Sequence, residues 1–93
     1  MGQRTVHVVI SGKVQNVWYR AWTIKTARAH NLSGWVRNRA DGSVEAVFSG
    51  EESAVEMMLQ DCQDGPPAAR VSALEVTDWS AAVAPGFIEK PNS

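Results

Sequence analysis

Residues 35–39 and 44–48 are two alternating runs separated only by Ala40, Asp41, Gly42 and Ser43, and this short interval constrains the chain most. An Asp-Gly pair between alternating runs predicts a tight hairpin, because Gly accepts the positive φ that such a turn needs. Two antiparallel strands are thereby placed mid-chain. Upstream, residues 5–11 alternate, with Val6, Val8 and Ile10 on one face and Thr5, His7, Val9 and Ser11 on a more solvated one. Residues 19–30 change period: Tyr19, Trp22, Thr23, Ala27 and His30 recur at steps of three and four, which predicts a helix that Asn31 and Gly34 stop. Downstream, Ser49 with Glu52 three residues later predicts a capping box. The helix it would open puts Val55, Met58, Leu59 and Cys62 on one buried face and ends at Asp64, Gly65, Pro66 and Pro67. A strand over 70–79 and a short edge strand over 87–89 complete the chain.

The order β-α-β-β-α-β implies an α+β fold of the ferredoxin-like, split βαβ kind. Two helices would pack on one face of a four- to five-stranded, mostly antiparallel sheet. Residues 1–93 read as one domain with an ordered core of about 5–89, since no repeat, linker or low-complexity tract divides them. A net charge of −1 gives no electrostatic footprint for nucleic acid. No apolar run approaches the roughly 20 residues that span a bilayer. The first residues carry no apolar signal core, so a cytoplasmic monomer is the expectation. The single cysteine, Cys62, excludes an internal disulfide framework and a cysteine-based metal cluster, and no acidic cluster resembles a metal site.

Between the first strand and the first helix lies the segment 12–18. A loop entering a helix N-terminus leaves backbone N–H groups without intrahelical partners, at the positive end of the helix dipole. That arrangement receives anions. Arg20, in the first turn, adds a permanently charged fork shaped for phosphate. Much else is missing. Arg70, the nearest arginine after Cys62, is eight positions on, so no cysteine phosphatase loop is present, nor is there a Gly-Lys-Ser/Thr loop or a placed Ser-His-acid set. His7 and His30 have no partner that the sequence places, and Cys62 reads as a core thiol. Phosphoryl chemistry without a metal, a covalent intermediate or a general base requires a good leaving group. An acyl phosphate has one, because its carboxylate departs without protonation. The remaining task is charge neutralisation and alignment of water. Backbone donors over residues 15–19 and Arg20 suit the first part, and the side-chain amide of Asn38 suits the second.

At these residues the chain resembles the acylphosphatase family, specifically its small, common type. The family pattern Gly-x-Val-Gln-Gly-Val-x-Phe/Tyr-Arg is met by Gly12, Val14, Gln15, Val17, Tyr19 and Arg20. Its second pattern, Gly-Trp-Val-x-Asn with a nearby Asp-Gly turn, is met by Gly34, Trp35, Val36, Asn38, Asp41 and Gly42. The segment Gly65, Pro66 and Pro67 is similar as well, so the resemblance covers residues 5–89. It implies a hydrolase that cleaves the carboxyl–phosphate bond of acyl phosphates by direct, metal-free attack of water, without a cofactor and on a small-molecule substrate. Arg20 would bind phosphate, Asn38 would position water, and Gln15, Asn16, Val17, Trp18 and Tyr19 would form the binding loop, with Trp18 at the mouth used by the acyl group. The chain departs from the pattern at Asn16, where the family has Gly. Asn is the least costly non-Gly residue at positive φ. The alternative is a non-catalytic phosphate- or anion-binding module whose cradle Asn16 has weakened.

Overall fold

In the computed structural model, which describes residues 2–92, the elements run β1 (Gln3–Lys13), α1 (Tyr19–Ala29), β2 (Ser33–Asn38), β3 (Val44–Glu51), α2 (Glu52–Asp64), β4 (Arg70–Asp78) and β5 (Phe87–Glu89). The sheet order is β4-β1-β3-β2-β5, antiparallel throughout except where β5 joins β2 in parallel. Both helices lie on one face, as the split βαβ reading requires. No helix among the described residues is long and apolar enough to cross a membrane.

The period of two determines the core. Val6, Val8 and Ile10 of β1 stand opposite Phe48, Ala46 and Val44 of β3, which stand opposite Gly34, Val36 and Asn38 of β2. These rows face the helices and are all buried, meeting Tyr19 and Ala27 of α1 and Val55, Met58 and Cys62 of α2. The polar exception is Asn38. It ends the row that begins with Ile10 and Val44, at the last residue of β2, and shares a cleft with the first turn of α1. The other face carries its own small cluster: Trp79 stacks on His7 at 5.3 Å, and Arg37 and Lys90 lie over the Trp35 ring at 5.0 and 4.5 Å.

Two glycines are required by close approach. A Cβ on Gly34 (φ 136°) would lie 1.8 Å from the Val47 carbonyl oxygen, so this backbone position tolerates no side chain. The ring of Phe87 fills the space beside it and stacks on Phe48 at 5.5 Å. At Gly12 (φ 120°) a Cβ would lie 2.1 Å from the Arg70 carbonyl oxygen, beside the register shift between Ser11 and Gly12. That bulge bends β1 as it enters the loop toward α1.

Three expectations change. The strand β1 continues through Lys13, which shortens the loop to 14–18. Ser49 caps nothing: it lies within β3, pairs with Thr5 of β1, and shares a 2.8 Å hydrogen bond with the Thr5 hydroxyl. The helix α2 starts at Glu52 with Glu51 as its N-cap and no side-chain cap. Cross-strand pairing through Glu51 outweighs a local capping box worth about 1 kcal/mol. The histidines are structural, yet each has a carboxylate partner: His7 reaches Glu45 at 2.6 Å and His30 reaches Asp61 at 3.0 Å. Burial alone would raise the Glu45 pKa, but hydrogen bonds from His7 and Arg37 more than reverse this and hold it below the usual carboxylate range.

Candidate active site

Residues 14–18 turn the chain from β1 into α1 through two left-handed residues, Asn16 (φ 62°) and Trp18 (φ 68°). Alternation of left- and right-handed backbone curls successive N–H groups toward one concavity, a geometry that receives anions. The N–H groups of residues 15–19 donate to no acceptor among the described residues. Positive φ suits Asn16, in line with its intrinsic preference. Trp18 departs from expectation, since a bulky side chain in this region costs roughly 1–2 kcal/mol. Its indole is also 81% exposed. Strain and apolar exposure coincide in one residue at the rim of the site.

The loop is clamped from behind. The Gln15 amide donates to the Arg39 carbonyl at 2.8 Å and to the Ser43 carbonyl at 2.9 Å. Both carbonyls belong to the β2–β3 hairpin. Asp41 holds that turn in shape, accepting from the Ser43 hydroxyl at 2.6 Å and the Ser43 N–H at 3.0 Å. These bonds, the hydroxyl's first, hold the Asp41 carboxyl below its ordinary value. Gln15 thus couples the cradle to the strand that ends in Asn38. Val17 turns into the core. Tyr19 also points inward and donates its hydroxyl to the Cys62 carbonyl at 2.6 Å. Burial drives the Tyr19 phenol far above its ordinary range and pushes the Cys62 thiol up to about 12, so neither group offers a nucleophile.

An open cleft of ≈ 460 Å³ lies in front of the loop. Asn16, Trp18, Tyr19, Arg20, Asn38 and Glu89 line it. Five of the seven residues expected at the site therefore converge, while Gln15 and Val17 stand behind the cleft. The Asn38 side chain is buried, and its Oδ1 has no hydrogen-bond partner among the described residues. An unpartnered buried acceptor costs roughly 1–3 kcal/mol, so its retention in the cleft that Arg20 lines calls for a function. The Arg20 Nη1 donates to Glu89 Oε2 at 2.5 Å and to Asn92 Oδ1 at 3.2 Å. No three His, Cys, Asp or Glu side chains among the described residues gather as metal ligands.

This geometry has counterparts. A sequence model of the acylphosphatase family matches residues 6–88. The chain belongs to the acylphosphatase family. An acylphosphatase of Rhodospirillum rubrum is 60% identical over 89 residues, which is 96% of this chain and 98% of that one. An acylphosphatase of Rhizorhabdus wittichii is 53% identical over 88 residues, covering 95% and 87%. The structure of an acylphosphatase from Coxiella burnetii superposes with a TM-score of 0.90 at 33% identity, over 95% of this chain and 93% of its own. Family membership favours a hydrolase over the non-catalytic binding module.

Glu89 escapes a reading of the sequence, as does the cleft residue Ala21, while Val14 is found there as a motif match without a place in the site. Ala21 follows Arg20 directly and is within reach of a first-turn argument. Glu89 is not, because only the parallel pairing of β5 with β2 brings it to α1.

Proposed function

We propose that this acylphosphatase-family hydrolase cleaves the carboxyl–phosphate bond of its substrates in the cleft between Arg20 and Asn38. The N–H groups of residues 15–19 and the Arg20 guanidinium would neutralise the phosphoryl oxygens, whose charge spreads in a loose transition state. Asn38 Oδ1 would accept a hydrogen bond from water and aim its lone pair at phosphorus, opposite the leaving carboxylate. The new P–O bond forms from water as the P–O bond to the acyl group breaks, the electron pair leaves on the carboxylate, and the two protons of the attacking water stay on the product as dihydrogen phosphate. No residue need donate a proton to that group. Trp18 would offer its exposed indole to the acyl portion. The reading includes a single folded domain, and a monomer acting in the cytoplasm.

The observation that carries this reading is the buried, unpartnered Asn38 Oδ1 in the same cleft as Arg20. Benzoyl phosphate hydrolysis with excess chelator tests it. Arg20→Ala is expected to lower kcat/KM by on the order of 10³-fold, and Asn38→Ala to lower kcat by on the order of 10²-fold with little change in KM. Removing the orphaned oxygen should also leave Asn38→Ala at least as heat-stable as the parent, so a loss of rate cannot be ascribed to unfolding. Turnover of the parent should stay flat across the neutral range, since neither histidine stands in the cleft. A sharp bell near pH 7, or a parent that needs an added metal ion after chelation, refutes this division of labour between Arg20, the loop and Asn38.

A further inference from the structure

The ion pair inside the cleft has a topological cause. In the parallel pairing of β5 with β2, Phe87 stands beside Gly34 and Glu89 beside Val36, two rows that face the helices. Phe87 is buried on that face, and Glu89, two residues on, emerges on the same side where the first turn of α1 begins. It meets Arg20 there. The pair is anchored by a backbone bond from the Lys90 N–H to the Val36 carbonyl at 2.9 Å. Arg28, two turns further along α1, reinforces this by donating to the Phe87 carbonyl at 2.9 Å. The carboxylate is therefore delivered to Arg20 by the sheet and not by a free tail.

A carboxylate and a phosphoryl group ask the same thing of a guanidinium, parallel N–H donors aimed at two oxygens. Both cannot take the same edge of Arg20. The side chains of Arg20 and Glu89 are 33% and 46% exposed, and an ion pair so open to water is weakly held. It suffices to order Arg20 in the free protein. It does not bar a dianion, which gains the unpartnered N–H groups of residues 15–19 in addition.

We propose that Glu89 is the internal counter-ion that Arg20 exchanges for the phosphoryl group, so that Glu89 sets how tightly the cleft holds phosphate. This rests on the hydrolase reading for the identity of the anion. Binding then consists of opening one anion contact and closing another, and the displaced carboxylate still stands in the cleft, repelling the newcomer. Affinity for inorganic phosphate, the product, is held down by the same device, and the return of Glu89 to Arg20 assists its departure.

Glu89→Gln keeps an oxygen acceptor and the side-chain shape while removing the charge. The competitive inhibition constant of inorganic phosphate against benzoyl phosphate, and phosphate binding by titration calorimetry, are measured in the parent and the variant. Loss of the competing contact to Arg20, together with relief of screened repulsion over a few ångström, predicts phosphate binding tighter by on the order of threefold to tenfold, with KM falling in the same direction. In an Arg20→Ala background the gain should be clearly smaller, because only the repulsion is relieved and the exchange partner is gone. Equal or weaker phosphate binding in Glu89→Gln overturns the proposal, as does an equal gain without Arg20. Weaker binding together with lower kcat would make Glu89 a positioning residue instead. Calorimetry needs no turnover: a parent that binds phosphate without hydrolysing benzoyl phosphate sinks the hydrolase reading, while the comparison of affinities still judges Glu89.

Discussion

The two helices share one layer and both begin without a side-chain cap, yet their first turns are built oppositely. The helix α2 is entered from an extended residue, Glu51, and carries Glu52 in its first turn. The Glu52 N–H donates to the Gly2 carbonyl at 2.9 Å. Its positive pole is thus met by the chain's own carboxylates and carbonyls. The helix α1 is entered through two left-handed residues and has no acid in its first turn, and it places Arg20 there. A cation at a helix N-terminus is unfavourable by roughly 0.3–1 kcal/mol, and left-handed Trp18 adds further strain. One helix start is finished by the fold, whereas the other keeps its donors and positive charge for a ligand. Stability alone would have favoured two starts like that of α2.

The most direct way to break this contrast is to give α1 the acid that α2 has. Ala21 lies in the first turn of α1, is exposed, and lines the cleft. Ala21→Glu should raise the KM for benzoyl phosphate and the inhibition constant of phosphate by about 10- to 100-fold, through repulsion of a dianion at close range. Thermal unfolding should show no loss of stability, since a carboxylate is favourable at this helix pole. A variant that still binds phosphate as the parent does would place the anion elsewhere than at the start of α1.

How much of the contrast can be read in advance follows the range of each interaction. Arg20 and Asn38 are legible because helix phase and strand alternation are local: Asn38 is two residues beyond the inward-facing Val36 and so shares its face. Asn16 is legible because its φ preference belongs to the residue itself. Trp18 is not, since nothing in a tryptophan announces a left-handed backbone, and the surrounding loop imposes it. The capping box at Ser49 fails because β3 is held by pairing with β1, more than forty residues away, and that ladder decides where α2 begins. Gln15 is expected in the binding loop, and the sequence gives no sign that its amide donates instead to two hairpin carbonyls 24 and 28 positions away. Glu89 depends on a parallel strand pairing and a contact across 69 positions, for which no local pattern exists.

A smaller change sharpens the contrast at the loop. Asn16 lines the cleft and its backbone adopts φ 62°. Asn16→Gly retains that conformation and clears the approach to the N–H groups, so phosphate should bind tighter by about two- to fivefold. Stability should move by no more than about 0.5 kcal/mol, because relief of the left-handed backbone opposes the greater freedom of glycine in the unfolded chain. Competitive inhibition by phosphate and urea unfolding read the two effects. Unchanged or weaker binding would mean that the Asn16 side chain contributes to the cradle it lines.

The smallest effect tests whether α2 is finished by its own charge. Glu52→Gln keeps size and hydrogen-bonding capacity while removing the negative charge from the first turn. Unfolding in urea at neutral pH and low salt should show a loss of about 0.3–1 kcal/mol, the worth of one charge at an exposed helix terminus. The loss should shrink at 1 M salt, where screening acts within about 3 Å. Phosphate affinity should not change, because Glu52 lies outside the cleft. A first-turn carboxylate would then have opposite meanings at the two helix starts. In α2 removing the acid exposes a pole that the fold had satisfied, whereas in α1 adding one satisfies a pole that the fold had left open. If Glu52→Gln costs nothing at low salt, the carboxylate is not what completes α2. The burden would then fall on the Glu52 N–H bond to the Gly2 carbonyl, which the substitution leaves in place.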